Sequence, residues 1–160
     1  MVLGRWKGDT WGGQERRAPA MVLIVNSDPD ACEMLVRMVG SRGHRAIGAT
    51  TGDEATGRIV NELPRCVVLD LDANGIGTSL KVLDTIRSHD DLRVSTARVV
   101  LCALSAKNRS FSYQSGADGF VVRPFHVNDL VEQISTVLTR ANEDRPRHRR
   151  DEIARYAAVD

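Results

Sequence analysis

The groups able to do chemistry in this 160-residue chain are acids, amides and hydroxyls set directly after apolar runs. In VLIVNSDPD (22–30) an apolar run closes on two neutral groups, Asn26 and Ser27, with a carboxylate first at Asp28. In CVVLDLDANG (66–75) Asp70 follows four apolar residues, and a second acid, Asp72, stands two positions on. RVVLCALSA (98–106) ends its run on Ala103, which has no polar side-chain atom, with Ser105 two residues beyond. GFVVRPF (119–125) places Arg123 and Pro124 after a fourth run. Polar corners after buried strands are where α/β proteins hold ligands. A lone acid there is equally able to form a plain ion pair, here with Arg123, and so imitate a permanently neutralised site.

Other chemistries find little support. Cys32, Cys66 and Cys102 are an odd number at wide spacings, without the close pairs of a zinc site or the density of a disulfide scaffold. Two of them lie in apolar runs, so buried reduced thiols and a cytoplasmic location are expected. His44, His89 and His126 fall at element edges, and no Ser-His-Asp or Cys-His set is evident. The first loop lacks a Gly-rich phosphate cradle, and 4% aromatic residues leave little to stack on a flavin. An enzyme is not expected. No apolar stretch approaches the roughly 18 residues of a membrane span. The net charge of +1 argues neither for nor against nucleic acid by itself; the one basic run, near the C-terminus, is too short for a DNA-binding domain, and nucleic acid is not an expected partner.

The positioning elements follow from periodicity. Met21–Val25, Arg45–Ala49, Cys66–Leu69, Val99–Leu104 and Gly119–Val122 read as strands. Between them, Pro29–Val39, Asp53–Leu63, Leu80–Arg87 and a weak, polar Ala106–Ser115 read as helices. The last helix carries Val127, Leu130, Val131, Ile134, Val137 and Leu138 at offsets 0, 3, 4, 7, 10 and 11. DLDANGIGTS (70–79) reads as a loop rich in turn residues. Five βα units with continuously apolar strands predict an α/β fold, a doubly wound five-stranded parallel sheet of order 2-1-3-4-5. Any site then lies beyond strands one, three and four, at Asn26–Asp28, Asp70–Gly77 and Ala103–Ser105.

Residues 1–20 are rich in Gly and charge and are expected to be a disordered extension, with a second Met at Met21 where the first strand begins. The domain is expected over 21–141. From 142 the pattern stops, and RPRHRR followed by DEIARYAAVD is expected to be a solvated basic tail without an output domain. Within it, Ile153, Tyr156 and Ala157 are spaced for a short amphipathic helix.

The order VLIVNSDPD, CVVLDLDANG, RVVLCALSA and SGADGFVVRPF resembles the receiver domain of bacterial two-component response regulators over about residues 21 to 140. The resemblance implies that Asp70 is the phosphoacceptor for a kinase histidine. It also implies a Mg²⁺ held beside that residue by two acids on the first loop, because a carboxylate attacking a phosphoryl group must overcome anionic repulsion. Those two positions fall on Asn26 and Ser27. Asp28 comes one residue late, and Asp72 is an extra acid, so Asp70 and Asp28 are left as ligands of a weak or absent Mg²⁺ site. The family's hydroxyl switch position falls on Ala103, its aromatic switch on Phe120, and its phosphate-neutralising lysine on Arg123. Pro124 keeps the turn, where the family often has a cis peptide, and Asn74 stands where it usually has a proline. Asn26 and Ser27 are expected to cap the helix opened by Pro29. The resemblance thus implies an atypical receiver with a degenerate acidic pocket, acting through protein contacts on the face of the fourth helix, fifth strand and fifth helix. A histidine kinase, a downstream effector or a second copy of the chain are the expected partners. The alternative is a working single-domain phosphotransfer receiver.

Overall fold

The computed structural model describes residues 10–11, 14–15 and 19–157. Most of the N-terminal extension lies outside them. Within it, Thr10–Trp11 pairs antiparallel with Gln14–Glu15. The main sheet is built from the five apolar runs, here β1 (Met21–Val25), β2 (Arg45–Ala49), β3 (Cys66–Asp70), β4 (Arg98–Ala103) and β5 (Gly119–Val122). All pairings are parallel, in the order β2-β1-β3-β4-β5. This is the predicted doubly wound topology.

Because successive side chains on a strand face opposite ways, the sheet feeds two cores. Leu23, Val67, Leu69, Val99, Leu101 and Phe120 form one with α2 (Gly52–Glu62), α3 (Ile76–Arg87) and α4 (Arg109–Gln114). Val22, Ile24, Val68, Val100 and Val121 form the other with α1 (Pro29–Gly40) and α5 (Val127–Thr139). Gly48 on β2 is where α1 comes closest: a Cβ there would meet the Cys32 sulfur at 2.7 Å. All three cysteines are buried and free.

Several elements depart from the sequence reading, two of them at length. The turn-rich stretch after Asp70 is largely helical: a short helix, Leu71–Asn74, runs through Gly75 into α3, which starts at Ile76 rather than Leu80. The buried Ser79 anchors that extra turn by donating its hydroxyl to the Asp70 carbonyl at 3.1 Å.

The C-terminal segment is the larger correction. Far from being a solvated tail, Arg145–Tyr156 forms a helix, α6, that packs antiparallel along α4. His148 meets Tyr113 edge to face at 5.8 Å, Arg109 lies 4.3 Å from the Tyr156 ring centre, and Ile153 packs on the first core. The anchor is Asp118, 2% exposed, just before β5. Arg145 grips both its carboxylate oxygens, Nε to Oδ1 at 2.8 Å and Nη2 to Oδ2 at 3.0 Å. Arg87 adds a bond of 2.8 Å, Arg149 one of 3.3 Å, and the Val99 amide one of 2.9 Å. Gly116, at φ +108°, turns its carbonyl onto the Arg87 guanidinium. A periodicity search misses α6 because four of its first six residues are arginines, and it is held by charge rather than by an apolar stripe.

Burial by itself raises the Asp118 pKa, yet the Arg145 hydrogen bonds, the charges of Arg87 and Arg145 and the Val99 amide together bring it below the ordinary carboxylate value. A depressed folded-state pKa stabilises the fold above the unfolded value of about 3.9, and that stability is lost as pH falls through the lower folded value. Asp118→Ala leaves buried arginine uncompensated and should cost about 3–5 kcal/mol in a urea titration at neutral pH. The deficit should shrink as pH falls from about 4 toward the lower folded-state value, because Asp118 of the unfolded chain takes up its proton first.

Candidate functional site

Three strand ends converge at the carboxyl edge of the sheet. β3 terminates on Asp70, which is 4% exposed and lies level with Cys102 in the ladder. Asp70 caps the short helix that follows: Oδ1 accepts from the amides of Asp72 at 3.0 Å and Ala73 at 2.8 Å. The same oxygen accepts from Arg123 Nη2 at 3.0 Å, forming an ion pair. Oδ2 accepts no hydrogen bond from any described residue. The plain pairing of Asp70 with Arg123 raised by the sequence is thus present.

The first loop has its own closed set of bonds. Asn26, 1% exposed, donates its backbone amide to Ala49 and accepts the Asp28 amide on Oδ1 at 2.9 Å. Asp28, and not Asn26 or Ser27 as expected, is the N-cap of α1; its Oδ1 accepts from Asp30 and Ala31. The first carboxylate of the loop is therefore turned to the helix end, where an acid also suits the positive end of the helix dipole. Ser27 is exposed; its amide donates to Asn74 Oδ1 at 2.7 Å and its hydroxyl to the Ala73 carbonyl. Asn74 in turn donates to the Val25 carbonyl at 2.9 Å. Sequence reading missed this stitch between the two loops. Its signal was the amide at position 74.

Asp72 leans back toward the site, as an extra acid on an extended exit would, although its backbone is helical. Its Oδ2 lies 3.9 Å from Arg123 and accepts the Leu104 amide. Ala103 is fully buried and brings no hydroxyl, while Ser105 caps the turn at Lys107. Phe120 is 7% exposed with the Arg109 guanidinium 5.4 Å from its ring centre. The Arg123–Pro124 peptide is cis. Burial and the Asp70 charge push the Cys102 thiol up to about 12, so it is neutral beside the site. Among the described residues no three His, Cys, Asp or Glu side chains are grouped to hold a metal ion. The donors around Asp70 fit poorly to Mg²⁺, which needs several oxygen ligands in octahedral array: Asp28 turns Oδ1 to helix amides, and a guanidinium holds Asp70 Oδ1.

A profile of the response regulator receiver domain matches residues 22–135. The chain belongs to that family. Receiver domains are the signal-transduction modules of two-component systems, and the sheet order and the acid at the end of β3 agree with that membership. This receiver is 30% identical to the transcriptional regulatory protein PrrA of Mycobacterium tuberculosis over 123 residues, 74% of the chain and 50% of PrrA. It is 30% identical to response regulator MprA of a Mycobacterium species over 129 residues, 79% of the chain and 54% of MprA. The chain thus spans about half the length of the curated relatives it matches. Among solved structures, a response regulator from Chloroflexus aurantiacus superposes with a TM-score of 0.68 at 24% identity, covering 76% of this chain and 99% of that one. CheY4 of Vibrio cholerae gives 0.66 at 17% identity, covering 74% and 98%. At these identities the structures speak for the fold alone. No described helix of the receiver is long and apolar enough to cross a membrane.

Asp70 has a structural duty as a cap, separate from any reactivity. Asp70→Ala should cost about 1–2 kcal/mol in a denaturant titration. Asp70→Asn, which keeps an oxygen for the Asp72 and Ala73 amides, should cost less than half as much.

Proposed function

We propose that this receiver signals through protein contact and runs the Mg²⁺-dependent phosphorylation cycle of Asp70 inefficiently. One observation carries the reading: the Arg123 guanidinium sits on the Asp70 carboxylate while Asp28 and Asp72 each turn an oxygen to backbone amides. Asn26 and Ser27 supply no formal charge for a cation, and buried Ala103 supplies no hydroxyl to draw its loop onto a phosphoryl group. Arg123 keeps the positive charge but binds as a planar fork instead of a point charge.

Output then runs through the α4–β5–α5 face. An open groove of about 300 Å³ lies there, lined by Arg109, Phe120, Val122, Phe125, Asp129 and Glu132. Arg109 belongs both to this groove and to the contact with Tyr156, so α6 is tied to the face that a kinase, an effector or a second copy would cover. The domain comprises 21–141 with α6 as its docked appendage. PrrA and MprA are named as regulators, and a role in controlling transcription belongs to the same proposal.

A working phosphotransfer receiver is the second reading, and Asp70 Oδ2 favours it, since that oxygen accepts from no described residue. Acetyl phosphate with millimolar Mg²⁺, followed by intact mass, separates the two. Little or no +80 Da product is expected from the wild type, against clear incorporation in the combined variant Asn26→Asp, Ser27→Asp, Ala103→Thr, Arg123→Lys. Near-complete, Mg²⁺-dependent labelling of the wild type that vanishes in Asp70→Asn overturns the proposal.

A further inference from the structure

Behind Asp70 the sheet edge opens into a cavity of about 230 Å³ between α1 and the β5–α5 loop. Its walls are Met34, Leu35 and Met38 of α1 with Phe125 and Val127, over a floor that includes Val68. The polar groups lining it are Asn26, Asp70 and Arg123, and their hydrogen-bonding capacity is incompletely used. Arg123 Nε is buried without a partner. The side-chain nitrogen of Asn26, on a residue 1% exposed, donates to no described residue. Asp70 Oδ2 accepts from no described residue. Buried polar groups are normally satisfied, and one left open calls for a partner such as water, an ion or a ligand.

We propose that this cavity is a binding site for a small, largely apolar carboxamide. The chemistry follows from what is left open. Asp70 and Arg123 are already paired, with Asp72 3.9 Å from the same guanidinium, so a neutral head leaves these ion pairs undisturbed whereas a charged one would compete with them. The unpartnered Arg123 Nε–H and the Asn26 side-chain amide suit the lone pairs of a carbonyl oxygen, and Asp70 Oδ2 suits an amide N–H beside it. The apolar walls take the rest of the molecule. The space is large enough for an aromatic ring and its amide. Pockets of this kind, apolar with a few convergent polar groups, are the usual form of small-molecule sites. The site borders the phosphoacceptor position, yet the proposal stands apart from whether Asp70 takes phosphate, because binding is read with no phosphoryl donor present.

The test uses the full chain with ¹³C-methyl methionine and titrates benzamide by NMR, with toluene as the probe lacking a head group. Met34 and Met38 should shift saturably with benzamide, while Met21, at the opposite end of β1, stays still. Toluene should bind about fivefold more weakly. Arg123→Lys, which keeps a cation for Asp70 but lacks the Nε donor, should weaken benzamide by about fivefold and leave toluene unchanged. Met34→Trp, at a position 51% exposed, should fill the mouth and abolish binding of both, with the circular dichroism of the fold retained. Linear or absent shifts, a shift of Met21 in step with the others, or equal affinity for benzamide and toluene would each overturn the assignment.

Discussion

Five strands in one parallel register force every carboxyl end to one edge of the sheet and every amino end to the other. Both faces are covered by helices, so each edge can keep a polar group only if that group is paired. Two buried acids sit at these poles: Asp70 closing β3 at the carboxyl edge, and Asp118 entering β5 at the amino edge. Each is held by arginine. The difference in how completely each is satisfied organises the rest of the molecule.

At the amino edge the pairing is saturated. Asp118 takes Arg145 on both oxygens, with Arg87, Arg149 and the Val99 amide filling what remains. Three guanidiniums on one carboxylate leave an excess of positive charge, partly relieved by carbonyl acceptors at Ser95, Thr96, Ala97 and Gly116. Desolvation draws the Arg87 pKa down to about 10, still far above neutrality. The result is a helix of very polar composition fastened to a globular domain. At the carboxyl edge the pairing is left incomplete: one Asp70 oxygen bears three bonds and the other none from described residues. Structure is secured at one pole, and chemistry is left open at the other.

Much of this was legible in the residue order. Apolar runs such as VVLD and VVLCA sit where β3 and β4 form, and Leu130, Ile134 and Val137, read as a helical stripe, are fully buried. The ion pair between Asp70 and Arg123 was readable as one of two fates for a lone acid. Local competition hid the rest. DANG has the composition of a turn, yet the Asp70 cap and the Ser79 anchor make it helical. RPRHRR has no apolar period, so no pattern search distinguishes a solvated run of charge from a helix whose arginines meet a buried acid 27 residues upstream.

The sequence by itself determined which segments are strands, their parallel order, and which side chains stand at the corners: Asn26, Ser27, Asp70, Ala103 and Arg123. Those properties are local, set by period and residue type. Only the tertiary structure decided how the corner groups spend their hydrogen bonds. Asp28 turns to its own helix end, Asn74 stitches two loops, and α6 closes on Asp118. The reason is physical: one carboxylate offers only two oxygens, and which of several donors reaches them depends on distances that exist only once the sheet has brought the strand ends together.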